Sequence, residues 1–209
     1  VYFRDLNLGK WMGVNENVLY DPSSMLKVAV MIGYFKKADK DPNVLLKELY
    51  YKSVVDAGQY YKPEHPLTTG SYTIRDINQA MIIDSDNAAL ETLYNNDRQA
   101  FVDVLKSLQI PPPLTTSHLD FMSPKTYSGL FRTLFSATYL SKPLSEQALQ
   151  LLTYTTFKKG LVAGVLPGTI VAHKFGEHTY TLPNGEIRTR QLHDCGIIYY
   201  PGHPYFLCV

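Results

Sequence analysis

Two cysteines in 209 residues, Cys195 and Cys208, are too few for a disulfide framework that would replace a hydrophobic core. They flank an expected hairpin and pair if its register suits; two buried free thiols are the other reading, and the expected one. Charge of one sign is also missing. Lys and Arg number 20 against 19 Asp and Glu, a formal net charge of +1, scattered without a basic stripe, so no nucleic acid partner is expected. No apolar run approaches membrane-spanning length and no signal segment opens the chain. The histidines are dispersed, without zinc-ligand spacing, and no glycine-rich phosphate loop occurs. Neither a metal nor a cofactor is therefore expected. The length suffices for one well-buried domain, and residues 1–209 are read as a single one. Sixteen tyrosines suit a surface that meets polymers or sugars. The first residues, Val1-Tyr2-Phe3, read as a processed or trimmed start, and Tyr205 to Val209 as a core strand cut at its edge.

The pattern along the chain is strands, many helices, then strands. Val1 to Leu6 and Trp11 to Val14 read as a hairpin around Asn7-Leu8-Gly9-Lys10. Asp21-Pro22-Ser23 opens a helix from Ser24 to about Phe35 that is apolar on nearly every side, the mark of a helix inside a core. Helices are expected from Thr73 to near Ser85, from Ala88 to Tyr94 and from Arg98 to Leu108, the last stopped by Pro111-Pro112-Pro113. Ser123-Pro124 starts another, and Ser145 caps one that ends near Leu152. Asp39 to Pro66 reads as a surface lobe of short helix and loop. Strands are expected at Thr169 to Lys174, Cys195 to Tyr200 and Tyr205 to Val209, with turns at Pro183-Asn184-Gly185 and Pro201-Gly202. The expected fold is a mixed α/β (α+β) one: an antiparallel sheet built from both chain ends (1–20 and 168–209) around an inserted helical block (21–167).

Three short strings carry the chemistry. Ser24 and Lys27 stand three apart, so at helical spacing they share a face. A serine hydroxyl is a poor nucleophile until a base takes its proton. A lysine set among Leu26, Val28, Ala29 and Val30 is desolvated, which favours its neutral, basic form. Ser24 at a helix start also gains from free amides and the positive dipole end. In Ser85-Asp86-Asn87, Ser85 is read as a proton relay, Asn87 as a holder of a substrate amide or of Lys27, and Asp86 as a brace for the loop. The plain alternative for this string is a C-cap and N-cap pair. Lys174 lies on an apolar strand, near the end of a central one, and is read as a substrate contact or relay. Gly176 would let substrate backbone approach, and the N–H groups of Glu177 and Ser24 together suit an oxyanion hole.

These strings resemble the Ser-x-x-Lys, Ser-Asp-Asn and Lys-Thr-Gly signature of the serine beta-lactamase and penicillin-binding protein superfamily, closest to class A beta-lactamase-like serine hydrolases. Val1 to Leu6, Ser123-Pro124-Lys125 and Asp194 to Tyr199 are similar to further elements of that family, and Lys36 to Pro66 is the least typical stretch. The resemblance implies acyl transfer, with Ser24, Lys27, Ser85 and Lys174 catalytic and Asn87, Phe175, Gly176 and Glu177 at the substrate. It implies a small-molecule or peptide substrate, including peptidoglycan-derived ones, and an extracellular or envelope location. It also implies a helix before the first strand and one after the last, both missing here. Phe175 stands where the family has Thr or Ser, which removes a hydroxyl and adds bulk beside the cleft. No acid among Glu91, Asp97, Asp103 and Asp120 matches the Glu-Leu-Asn pattern that activates water in class A enzymes. The expectation is a serine hydrolase that acylates and deacylates beta-lactams slowly or not at all. A true class A-like beta-lactamase and a catalytically degenerate binding domain are the alternatives.

Overall fold

The computed structural model describes residues 1–54, 59–111, 120–181 and 184–209. Strands β1 (Tyr2–Asp5) and β2 (Trp11–Gly13) come from the start of the chain, and β5 (Val171–Thr181), β6 (Ile187–Ile198) and β7 (Tyr205–Cys208) from its end. They form one antiparallel sheet in the order β2-β1-β7-β6-β5. Helices α1 (Lys27–Ala38), α2 (Ile74–Ile83), α3 (Asn87–Asn96), α4 (Arg98–Ser107), α5 (Pro124–Phe135) and α6 (Lys142–Thr153) lie between them in sequence. The fold is the mixed one expected, with the sheet drawn from both ends.

Helix α1 is buried on almost every side, as its uninterrupted apolar sequence demands. Gly33 lets α4 cross it closely, because a Cβ there would stand 2.6 Å from the Ala100 carbonyl oxygen. Helix α5 lays Tyr127 and Phe131 against the sheet, where Phe131 meets Phe206 at 5.5 Å between ring centroids. No helix among the described residues is long and apolar enough to cross a membrane.

Six expectations need correction. Ser24 belongs to a 3-10 turn, Ser23–Leu26, and the α-helix proper starts at Lys27. Helix α6 is preceded by Ser141, not capped at Ser145, which sits buried inside it; Pro143 in the first turn was the missed signal. Strands β5 and β6 are much longer than their apolar cores, because their distal halves extend as a hairpin in which the β6 residues are mostly exposed and the β5 residues half-buried, so neither carries an apolar alternation. Strand β5 is consequently the edge of the sheet, and Lys174 lies in its interior rather than near the end of a central strand. Cys195 and Cys208 are register partners on β6 and β7 and form a disulfide, not two thiols. The lobe after Asp39 also holds more order than its irregular sequence suggests: β3 (Glu48–Tyr51) pairs with β4 (Gly70–Thr73). Pro112, Pro113 and Pro183 lie outside the described residues.

Candidate active site

The nucleophile candidate sits on a braced turn. Ser23, just before it, has a φ of 47°, a left-handed conformation that costs a non-glycine residue energy and persists only when its surroundings enforce it. Asp21 Oδ1 accepts from the Ser23 N–H at 2.8 Å, and Ser23 Oγ donates to the Glu177 carbonyl at 2.6 Å. Tyr127 OH donates to the Met25 carbonyl at 3.0 Å from below. Gly176 serves this turn rather than a substrate. A Cβ there would lie 2.6 Å from the Pro22 carbonyl oxygen, so only glycine lets β5 approach the turn this closely. Because a strand residue points its N–H and C=O to the same side, the Glu177 N–H faces the same edge as its carbonyl, toward Ser23 and Ser24.

The Lys27 side chain is fully buried. Its Nζ lies 2.9 Å from Ser24 Oγ, 3.1 Å from Ser85 Oγ, 2.7 Å from the Ser85 carbonyl oxygen and 2.6 Å from Asn87 Oδ1. On the other side of Ser85, Lys174 Nζ donates to Ser85 Oγ at 2.8 Å and to the Phe175 carbonyl at 3.1 Å. One hydroxyl thus bridges two buried amines. Ser85 has a φ of 54°. It is held between the end of α2 and the start of α3, where Asp86 Oδ1 accepts from the Ala89 N–H at 2.9 Å and Asp86 Oδ2 from Tyr51 OH at 2.8 Å. The plain reading of this string as a cap therefore holds for Asp86, which caps α3, while Ser85 and Asn87 turn toward the lysines. Tyr51→Phe removes a buried bond to a carboxylate and is expected to cost about 1.5–3 kcal/mol, read as a lower midpoint in urea unfolding.

Burial, and then the nearby Lys27, hold the Lys174 amine well below the usual lysine range, with Asp194 and Glu177 pulling the other way. The sign for stability follows. The unfolded chain keeps this amine protonated up to about pH 10.4, while the folded chain releases the proton earlier. Between the two values the unfolded state binds more protons, so stability rises with pH, by at most about 1.4 kcal/mol per unit for one group. Tyr20, Tyr51 and Tyr127, whose hydroxyls burial pushes up, act the opposite way: their contribution is lost as pH climbs above about 10. Lys174→Met is therefore expected to flatten the rise in unfolding free energy as pH climbs toward about 10, measured by urea denaturation.

Phe175 departs from the expectation that it adds bulk beside the cleft. It is buried, stacked on Phe157 at 4.2 Å, with Tyr61 edge-on at 5.5 Å and Lys174 Nζ 4.2 Å from its ring centroid. Beneath the strand, His173 Nδ1 and Asp194 Oδ1 stand 2.8 Å apart, and Asp194 Oδ2 accepts from the Leu161 N–H at 2.8 Å.

An open cleft of about 870 Å³ passes over Ser24, lined by Asn87 and Glu177 among the residues singled out from the sequence. It is also lined by Gln59, Tyr60, Lys62 and Arg190, which no motif or periodicity marks. His178 reaches Asp21 at 3.0 Å. Among the described lining residues only Glu177 is acidic. Its Oε1 accepts from the N–H groups of Tyr60 and Tyr61 at 2.8 and 2.9 Å. Glu91 lines a different groove, Asp97 caps α4 and pairs with Lys37, and Asp103 accepts from Gln99. Among the described residues no three His, Cys, Asp or Glu side chains converge as a metal site.

A protein-family model described as the beta-lactamase enzyme family matches residues 1–209. Among solved structures, a beta-lactamase from Chitinophaga pinensis superposes with a TM-score of 0.80 at 19% identity, covering 99% of this chain and 82% of the other. The TLA-3 extended-spectrum beta-lactamase gives 0.78 at 21%, with 99% and 81% covered. PBP-A gives 0.74 at 19%, with 99% and 77% covered. Among curated proteins no sequence matches.

Proposed function

Given that the chain belongs to the beta-lactamase enzyme family, we propose that it is a serine hydrolase working through an acyl-enzyme on Ser24, closest to the class A-like members. The observation that carries this reading is the 2.9 Å separation of the Lys27 amine and Ser24 Oγ, within the reach required of a general base. A neutral lysine has two N–H donors and one lone pair. With the donors directed to the Ser85 carbonyl and Asn87 Oδ1, the lone pair faces the Ser24 hydroxyl. Ser24 Oγ attacks the acyl carbon, its proton passes to Lys27 Nζ, and the oxyanion forms between the Ser24 and Glu177 N–H groups. The proton then returns through Ser85 Oγ to the leaving group as the acyl bond to it breaks. Lys174 holds Ser85 in line through the hydrogen bond from its Nζ to Ser85 Oγ.

Water attack on the acyl-enzyme needs a base of its own. Among the described residues that line the cleft the one carboxylate, Glu177, is already engaged by two amides, which supports slow turnover of beta-lactam adducts. The acyl donor we favour is peptide-like or derived from peptidoglycan. A PBP-A structure is an acyl-enzyme complex with penicillin G, a precedent for the adduct expected here. The Cys195–Cys208 disulfide suits an oxidising compartment and with it a secreted or envelope location. Incubation with a fluorescent penicillin and with an N-acetylglycyl thioester, followed by intact-mass and peptide mapping, tests the reading: the adduct is expected on the peptide containing Ser24. A folded protein that gains no mass with either donor contradicts it.

A further inference from the structure

Phe175, the residue that departs from the family signature, has a structural occupation. Its ring and that of Phe157 form a seat in which Tyr61 stands edge-on, 4.7 Å from Phe157 and 5.5 Å from Phe175. The segment around Tyr61 is tied down at three further points. Glu177 Oε1 receives the Tyr60 and Tyr61 N–H groups, Gln59 Nε2 donates to the Ser85 carbonyl at 3.2 Å, and the Arg190 guanidinium lies 5.6 Å from the Tyr60 ring centroid. Those ties run to β5, to the loop bearing Ser85 and to β6. Gln59, Tyr60 and Lys62 line the same cleft as Ser24, so this strap is one of its walls.

From these contacts we infer that residues 59–62 form a fixed wall that selects acyl donors by width, admitting slim, extended ones and hindering bulky bicyclic ones, with Phe175 as its anchor. The inference rests on the acyl-transfer reading above and deepens it. Two ties distinguish a wall from a surface loop. Two adjacent backbone amides share one carboxylate oxygen, which fixes the chain direction, and an aromatic side chain is packed against two buried rings. The Ser85 carbonyl that receives Gln59 also receives Lys27, so the wall reaches the catalytic group itself. A Thr or Ser at 175 would leave Tyr61 with one face of its seat missing.

The test compares adduct formation on Ser24 by the fluorescent penicillin and by the N-acetylglycyl thioester, as a ratio of second-order rate constants, in the parent and in Tyr61→Ala. Loss of the anchor is expected to raise the penicillin-to-thioester ratio by at least about tenfold. Hydrogen exchange read by mass spectrometry should show the amides of Tyr60 and Tyr61 protected in the parent and fast in the variant. Should Tyr61→Ala lose its cooperative melting transition, Phe157→Leu, which keeps an apolar filling but removes the flat ring, is expected to move the ratio in the same direction by about threefold. An unchanged ratio in folded variants whose strap amides exchange faster overturns the inference, as does an unprotected strap in the parent. A parent that neither donor acylates overturns the acyl-transfer reading and this inference with it, whereas one that the penicillin labels and the thioester does not overturns the wall alone. Normal thioester labelling with a fixed ratio overturns the wall alone.

Discussion

Lys27→Met lowers the rate of Ser24 acylation by about 10³-fold while the protein stays folded. Methionine matches the length of the lysine stem and suits a fully buried site. Its thioether sulfur is a weak acceptor with no useful basicity and no donor hydrogen, so the amine that takes the Ser24 proton is gone. The same change removes the Nζ that now lies 2.6 Å from Asn87 Oδ1 and 2.7 Å from the Ser85 carbonyl, a carbonyl that keeps its bond from Gln59, at a cost of about 1–3 kcal/mol. Removal of a desolvated amine offsets part of that cost. A modest fall in unfolding midpoint beside a near-complete loss of acylation is thus the expected pair of results. An equal, partial loss of both would assign Lys27 a packing role.

Ser85→Ala is expected to slow acylation by about 10²-fold, because the hydroxyl that bridges Lys27 and Lys174 is the only route offered for returning the proton. The backbone provides a control. Ser85 holds a left-handed φ of 54°, which alanine tolerates no better than serine and glycine adopts freely. Ser85→Gly therefore relieves strain while removing the same hydroxyl. If the hydroxyl carries the effect, both variants acylate slowly although the glycine one is the more stable. If geometry alone carries it, Ser85→Gly acylates at the parent rate. Loss of the bridge also leaves the two amines without a mediating oxygen.

Much of this arrangement is readable in the sequence where local chemistry and tertiary use coincide. The apolar run around Lys27 required burial, and the position of Ser24 at spacing three required proximity, so the turn and helix carry their meaning in a short stretch. The fold class followed likewise from strands at both ends and amphipathic helices between them. What was illegible depended on partners distant in sequence. Nothing local says that Gly176 makes room for the Pro22 carbonyl rather than for substrate, since the contact spans two elements far apart in the chain. Phe175 read as an intrusion because its partners, Phe157 and Tyr61, are brought to it only by the fold. The distal halves of β5 and β6 gave no strand signal because solvent-facing residues such as Arg188 and Arg190 leave no apolar alternation. The Cys195–Cys208 pairing turned on the β6–β7 register, which Pro201-Gly202 implies as a turn but does not fix to one residue. Gln59 to Lys62 lack periodicity because a clamp made of backbone amides and one carboxylate needs none.

The most direct measurement is the intact mass of the protein after separate exposure to the thioester and to the fluorescent penicillin, compared between the parent and Ser24→Ala and mapped to a peptide. A single added acyl group on the Ser24 peptide of the parent, absent from Ser24→Ala, is the predicted result. An adduct that persists in Ser24→Ala, or a folded parent that takes up no acyl group, contradicts the account.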